Sequence, residues 1–164
     1  MPASRNLSLA RSVVFQLMSA VNATIVKFGY PESLIAEYPE WLVLLRPQQV
    51  TAGALVLAYR GDAEAFSALP PAAFAGLYPA IGDIERNLKS LVQYERINYL
   101  TLMMVDPHVH FHVLPRYAGS RVLEGLEAHD HGWPRTPDLS RFPELSRDDL
   151  AKLARTLRAA WRRG

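Results

Sequence analysis

Three of the five histidines in this 164-residue chain fall in one short stretch, His108-Val109-His110-Phe111-His112, which continues as Val113-Leu114-Pro115-Arg116. In an extended strand residues i, i+2 and i+4 point to one side, so the imidazoles would line one face roughly 7 Å apart while Val109, Phe111 and Val113 turn to the core. Three readings compete for such a row. The plainest is polar residues on the wet side of a sheet. A second is a metal-dependent hydrolase, since neutral imidazole is a frequent zinc ligand, although no cysteine and no adjacent acid cluster completes a coordination shell. The third is phosphoryl-group chemistry, in which one imidazole attacks phosphorus while its neighbours orient it, bind the phosphate and assist the leaving group. A nucleophilic imidazole must be neutral, and cationic or partly buried neighbours would hold it so.

Other side chains could serve the same chemistry. Arg46, Gln48, Gln49 and Thr51 precede Gly53, and Arg116 and Tyr117 follow the histidines; guanidinium, amide and hydroxyl groups there could donate to a phosphate. Each also has a bland role: Gln48 and Gln49 as loop residues, Arg116 as the solvated end of a strand. The segment His129-Asp130-His131-Gly132-Trp133-Pro134 reads either as a lid or as a surface loop anchored by its tryptophan. As a lid, Trp133 would stack on a base and Asp130 or His131 would meet phosphate.

A row of histidines needs a sheet to hold it. Apolar runs at 33–38, 41–45 and 53–59, bounded by Pro39, Pro47 and Gly61, predict antiparallel strands in a meander, and the β-branched run 24–28 predicts a short strand or extended lead-in. From Pro70 to about Tyr94 the spacing changes: Phe74, Leu77, Ile81, Ile84, Leu88 and Leu91 predict one face of a helix, with Pro79 kinking it or delaying its start. Residues 98–105 and 108–114 predict two more strands joined at Asp106-Pro107, where a bulge or a cis peptide is open. A long Gly-, His-, Asp- and Pro-containing loop then runs to Pro143. Ser146 caps a closing helix that carries Leu150, Leu153, Leu157 and Trp161.

The size suits one domain, divided into an N-terminal arm or helix over 1–23, a catalytic unit over 24–117, and a loop and C-terminal helix over 118–164 packed on the same unit. In the arm, Leu9, Val13, Leu17 and Val21 recur every four residues. Eighteen Lys and Arg against 16 Asp and Glu leave a net charge of +2, which is no nucleic-acid footprint. No apolar run reaches the length of a membrane span, and the absence of cysteine fits a cytoplasmic home.

The pattern His108-apolar-His110-apolar-His112-apolar-apolar resembles the signature of the histidine-triad superfamily of nucleotide hydrolases and transferases, and the likeness extends over about 24–117. The resemblance implies an α+β fold: a roughly five-stranded antiparallel sheet with a long helix packed on it, here followed by a C-terminal helix, paired with a second copy as a homodimer. It implies His110 as the nucleophile of a nucleotidyl-histidine intermediate, flanked by His108 and His112. The substrate would be a nucleoside monophosphate linked to an amine, an acyl group or another nucleotide. No cofactor is required for that step, although a divalent cation could ride on the substrate phosphates. His112 argues for the hydrolase branches, because galactose-phosphate transferases carry Gln there. Arg46 stands where relatives often have an asparagine near the ribose, and Asn98 resembles an asparagine of their preceding strand. One departure is large: the glycine-rich loop ending in Gly-Gln-Ser or Gly-Gln-Thr is replaced by Met104-Val105-Asp106-Pro107, removing amide and hydroxyl donors to phosphate. A non-catalytic nucleotide-binding or signalling module is therefore the alternative.

Overall fold

Period-two stretches rich in Leu and Val build a sheet of five strands in this computed structural model, which describes residues 21–162. Residues 1–20 of the expected arm lie outside the described residues. The strands are β1 (Leu34–Glu37), β2 (Trp41–Leu45), β3 (Leu55–Tyr59), β4 (Arg96–Leu100) and β5 (His110–Arg116), all antiparallel, in the order β1-β2-β3-β5-β4. Their alternation sorts the side chains. Trp41, Val43, Leu45, Leu55, Leu57 and Val113 enter the main core on one face, while Leu42, Leu44, Val56 and Ala58 share the opposite face with His110 and His112.

Two helices cover the first face. Helix α2 (Pro71–Val92) follows a 3-10 turn at Phe66–Ala68, and helix α3 (Arg147–Trp161) starts at a capping box in which Ser146 and Asp149 satisfy each other's backbone N–H groups. Pro79 lies inside α2 and does not end it. Of the expected stripe on α2, Ile84 and Leu88 are fully buried and Leu77, Ile81 and Leu91 pack against the core, but Phe74 is about half exposed and Ala73, Ala80 and Val92 complete the buried face. Small alanines let the helix approach closely, and the indole of Trp41 fills the space, its Nε1–H donating to the Ala73 carbonyl at 2.7 Å.

Two local expectations are corrected and one open point is decided. The β-branched run at 24–28 is not a strand: helix α1 (Ala23–Lys27) forms there, capped by the Asn22 side chain accepting from Ile25 N–H at 3.1 Å, with Ile25 buried against Leu42, Leu44, Val56 and Ala58. Cap and burial outweigh a weak β preference. The loop after Arg116 is not structureless, because β6 (Ser120–Leu123) and β7 (Leu126–His129) pair as a hairpin around Glu124-Gly125, both with positive φ. The Asp106-Pro107 peptide is trans; the cis bonds are Tyr30-Pro31 and Trp133-Pro134.

Candidate active site

The histidines meet at the start of β5. His110 and His112 lie within the strand, opposite Ala58 and Val56 of β3, with ring centroids 5.0 Å apart and planes nearly perpendicular. His108 was expected in the same strand, but β5 begins at His110. Instead of extending a row, the His108 backbone turns its carbonyl inward to His110 Nδ1 at 2.7 Å, and its ring meets the Thr24 hydroxyl through Nδ1 at 2.8 Å. A carbonyl oxygen only accepts, so the proton of neutral His110 sits on Nδ1 and the lone pair on Nε2. That Nε2 lies 3.3 Å from His112 Nε2.

On its other side His112 meets Arg46, whose Nε is 3.4 Å from His112 Nδ1. Burial, the Arg46 guanidinium and His110 lower the His112 pKa to about 4 against a weaker opposing pull from Asp106. His112 is therefore neutral at physiological pH. Burial also lowers Arg46 from its ordinary value, but a guanidinium so basic keeps its charge.

The site is roofed. His110 has 0% of its surface exposed and His112 7%, because the Phe28 ring lies 5.5 and 5.6 Å from their centroids. The roof is latched to the 104–107 segment: Lys27 pairs with Asp106 at 2.6 Å, beside the Thr24–His108 contact. That segment leaves Met104 and Val105 more than four-fifths exposed. Sequence reasoning gave Thr24, Lys27 and Phe28 no role at the site, reading them only as part of a β-branched run, and took Asp106 only as part of a turn and of the segment before the histidines.

The remaining candidates divide. Arg46 joins the histidines. The exposed Gln48 gives its main-chain carbonyl to the Arg46 guanidinium. Gln49 braces the turn at Gly53, its amide donating to the Arg46 and Ala54 carbonyls at 2.6 and 2.9 Å and its Oε1 accepting from Gly53 N–H at 2.9 Å. Gly53 needs that brace, with φ at +81° and room for a Cβ only 3.2 Å from Leu88. Arg116 is buried and paired with Asp130 through Nε at 2.7 Å and a second nitrogen at 3.1 Å, and it also donates to the Arg135 carbonyl and to Asn98 Oδ1. Asn98 and Arg116 thus anchor the 130–135 loop. Trp133 sits half-buried in that loop, its main-chain N–H donating to the Asp130 carbonyl at 3.3 Å. Tyr117 is buried, accepting from Ala52 N–H at 2.7 Å and donating to the Ala128 carbonyl at 2.9 Å. Thr51 is buried with no partner for its hydroxyl among the described residues.

A cleft of about 810 Å³ opens beside the roof, between Phe28 and Gly29, the end of β2 at Leu45 and Pro47, and Arg147, Leu150 and Arg155 of α3. Among the described residues no group of three or more His, Asp or Glu side chains is arranged to hold a metal ion, and no helix is long and apolar enough to cross a membrane.

No protein-family model matches the sequence, and no curated protein matches it. Solved structures do match the fold. A histidine triad protein from Bradyrhizobium japonicum superposes with a TM-score of 0.64 at 20% identity, over 85% of this chain and 95% of its own. A hypothetical histidine triad nucleotide-binding protein from Sulfolobus tokodaii gives 0.61 at 16% identity, over 85% and 90%. A zinc-bound histidine triad family protein from Mycobacterium smegmatis gives 0.58 at 23% identity, over 89% and 95%.

Proposed function

We propose that this chain, whose fold is that of the histidine-triad proteins, hydrolyses or transfers nucleotidyl groups through a covalent intermediate on His110. The observation that carries the reading is the pair His110 Nδ1 and His108 carbonyl at 2.7 Å, which leaves the Nε2 lone pair facing the space shared with His112. In the first step that lone pair forms a bond to the α-phosphorus. The bond from phosphorus to the leaving oxygen or nitrogen breaks, and its electron pair departs with the acyl carboxylate or second nucleotide as an anion, or with an amine whose nitrogen takes a proton from solvent. His110 is then a nucleotidyl imidazolium whose Nδ1–H stays on the His108 carbonyl. Water attacks phosphorus in the second step, the N–P pair returns to Nε2, and a water proton passes to solvent.

His108 and His112 flank the nucleophile as orienting and phosphate-binding groups, with Arg46 behind them. The cleft between Phe28 and α3 is lined by apolar Leu45, Pro47 and Leu150 and by Arg147 and Arg155 set among Glu32 and Asp148, which gives room for the nucleoside portion of such a substrate. A phosphate can reach His110 only when the Phe28 ring moves aside, since the imidazole has no exposed surface. We place the activity in a homodimer that needs no cofactor, with a divalent cation carried on the substrate phosphates at most.

Intact-protein mass spectrometry tests the reading. Incubation with adenosine 5′-phosphoramidate or a diadenosine polyphosphate should give an adduct of one adenylyl group, absent in His110→Ala. The full burial of His110 and the missing loop donors favour one other reading, a nucleotide-binding module without turnover. That reading predicts saturable AMP binding, no adduct and no product. Stoichiometric zinc with chelator-sensitive turnover would point instead to a metal-dependent hydrolase.

A further inference from the structure

Arg46 ends the buried meander strand and is itself 6% exposed, its guanidinium held between the Gln48 carbonyl and His112. A guanidinium offers only donors, so its Nε–H must donate and His112 Nδ1 must accept. A neutral imidazole carries one N–H, which puts the His112 proton on Nε2. That nitrogen faces His110 Nε2 at 3.3 Å, the atom left unprotonated by the His108 carbonyl. Three donors and three acceptors therefore fall into register: Arg46 Nε–H to His112, His112 Nε2–H to His110, His110 Nδ1–H to His108. With both imidazoles neutral, moving either ring proton to its other nitrogen leaves a donor facing a donor or a carbonyl without a partner.

We infer that Arg46 is a positioning residue: by donating to Nδ1 it fixes the His112 proton on Nε2, so that the site presents one aimed N–H donor beside the His110 lone pair. This rests on the proposed nucleotidyl transfer and deepens it. When the phosphorus of a substrate takes the His110 lone pair, the His112 N–H loses its acceptor and is free to bond a phosphate oxygen. It would supply a donor in the place where the amide and hydroxyl of the replaced loop are missing. The groups facing His112 are the Arg46 guanidinium, the His110 ring and the Phe28 ring, with the Asp106 carboxylate acting from the adjoining loop while paired to Lys27. Among the described residues the cation next to His112 is Arg46, and its charge works with burial against a second proton on His112.

The test is long-range proton–nitrogen correlation NMR of the imidazoles in the full chain, with steady-state kinetics on the adenylated substrate beside it. In the wild type His112 should be a single Nε2–H tautomer that begins to protonate only near pH 4. In Arg46→Met, which removes both the N–H donor and the charge, its midpoint should rise by at least one pH unit, and kcat should fall by roughly 100-fold, the scale of losing one preorganised donor, with KM nearly unchanged. Arg46→Lys keeps both an N–H donor and the charge and should restore the tautomer and most of kcat. An Nδ1–H tautomer in the wild type, or an unchanged tautomer and midpoint in Arg46→Met, would overturn the inference. The wild-type spectrum decides even where a variant does not fold. Because the spectrum needs no turnover, an absent adenylyl adduct would sink the proposed activity without touching this result.

Discussion

A buried imidazole held neutral ties folding to pH, and the sign follows from which state binds the extra proton. His112 titrates near 6.5 in an unfolded chain and at about 4 in the folded one, depressed by burial first and then by Arg46 and His110. Between those values the unfolded chain carries a proton that the folded chain refuses. This contribution is therefore fully present above about pH 6.5 and is lost as pH falls toward 4, at up to about 1.4 kcal/mol per pH unit. Urea unfolding at pH 7, 5.5 and 4.5 should show midpoints falling with acid, and His112→Asn should flatten the part of that slope between 6.5 and 4.5. Equal slopes in both proteins would mean that His112 is not the linked group. Phe28 acts on the same residues by steric cover. In Phe28→Ala, His110 should be carbethoxylated by diethyl pyrocarbonate at least tenfold faster than in the wild type, read by peptide mass spectrometry. An unchanged rate would show that the ring does not limit access.

Elements place these residues with unequal legibility. The alternation that sets His110 and His112 against Phe111 and Val113 is local and was readable, as were the cap at Ser146 and the helix from Pro71, whereas the two faces of the all-apolar β2 carry no such pattern. Helix α1 was not, because Thr24, Ile25 and Val26 have strand propensities, and only contact with Leu42 and Val56 makes five residues of helix stable. His108 was misplaced because pairing fades beside it: the backbone bonds next to the end of β3 run from Tyr59 N–H to the Val109 carbonyl at 3.0 Å and from Val109 N–H to the Ala63 carbonyl at 2.8 Å, a fact of pairing length and not of residue type. The β6–β7 hairpin did carry a signal in Glu124-Gly125 between Leu123 and Leu126, overlooked amid the polar residues around it. Arg116 shows the opposite failure. Its type suited a phosphate, yet the structure commits it to Asp130, fastening the 130–135 loop to the end of β5 with a pair whose side chains are 4% and 2% exposed. Asp130→Ala would leave that guanidinium buried and unpaired, so it should cost about 3–5 kcal/mol in chemical unfolding. A loss below 1 kcal/mol would mean that water solvates the pair.

The whole molecule leaves one flank unfinished, and the shape of that flank bears on the proposed pairing of two copies. Strand β4 is an edge, with β5 on one side and no strand on the other among the described residues. Long edges of this kind are normally covered, charged or paired. Beside it runs a face of α2 tied to β4 by Tyr99, whose hydroxyl donates to Glu85 at 3.1 Å. On that helix Tyr78 is 87% exposed, Phe74 49%, and a Cβ at Gly82 would meet nothing within 4 Å. Spaced four apart, residues 74, 78 and 82 form a stripe of two aromatics and a bare backbone, a surface to which another helix can come close. Two copies related by a two-fold axis would bring β4 to β4 and stripe to stripe, since a self-complementary patch is what such symmetry requires. Sedimentation equilibrium should give a dimer at micromolar concentration, and Gly82→Arg, which fills the open space with a charge and leaves the monomer core alone, should shift it to monomer with unchanged circular dichroism. A wild type that sediments as a monomer would remove the pairing. A dimer indifferent to both Gly82→Arg and Tyr78→Asp would move it to another face.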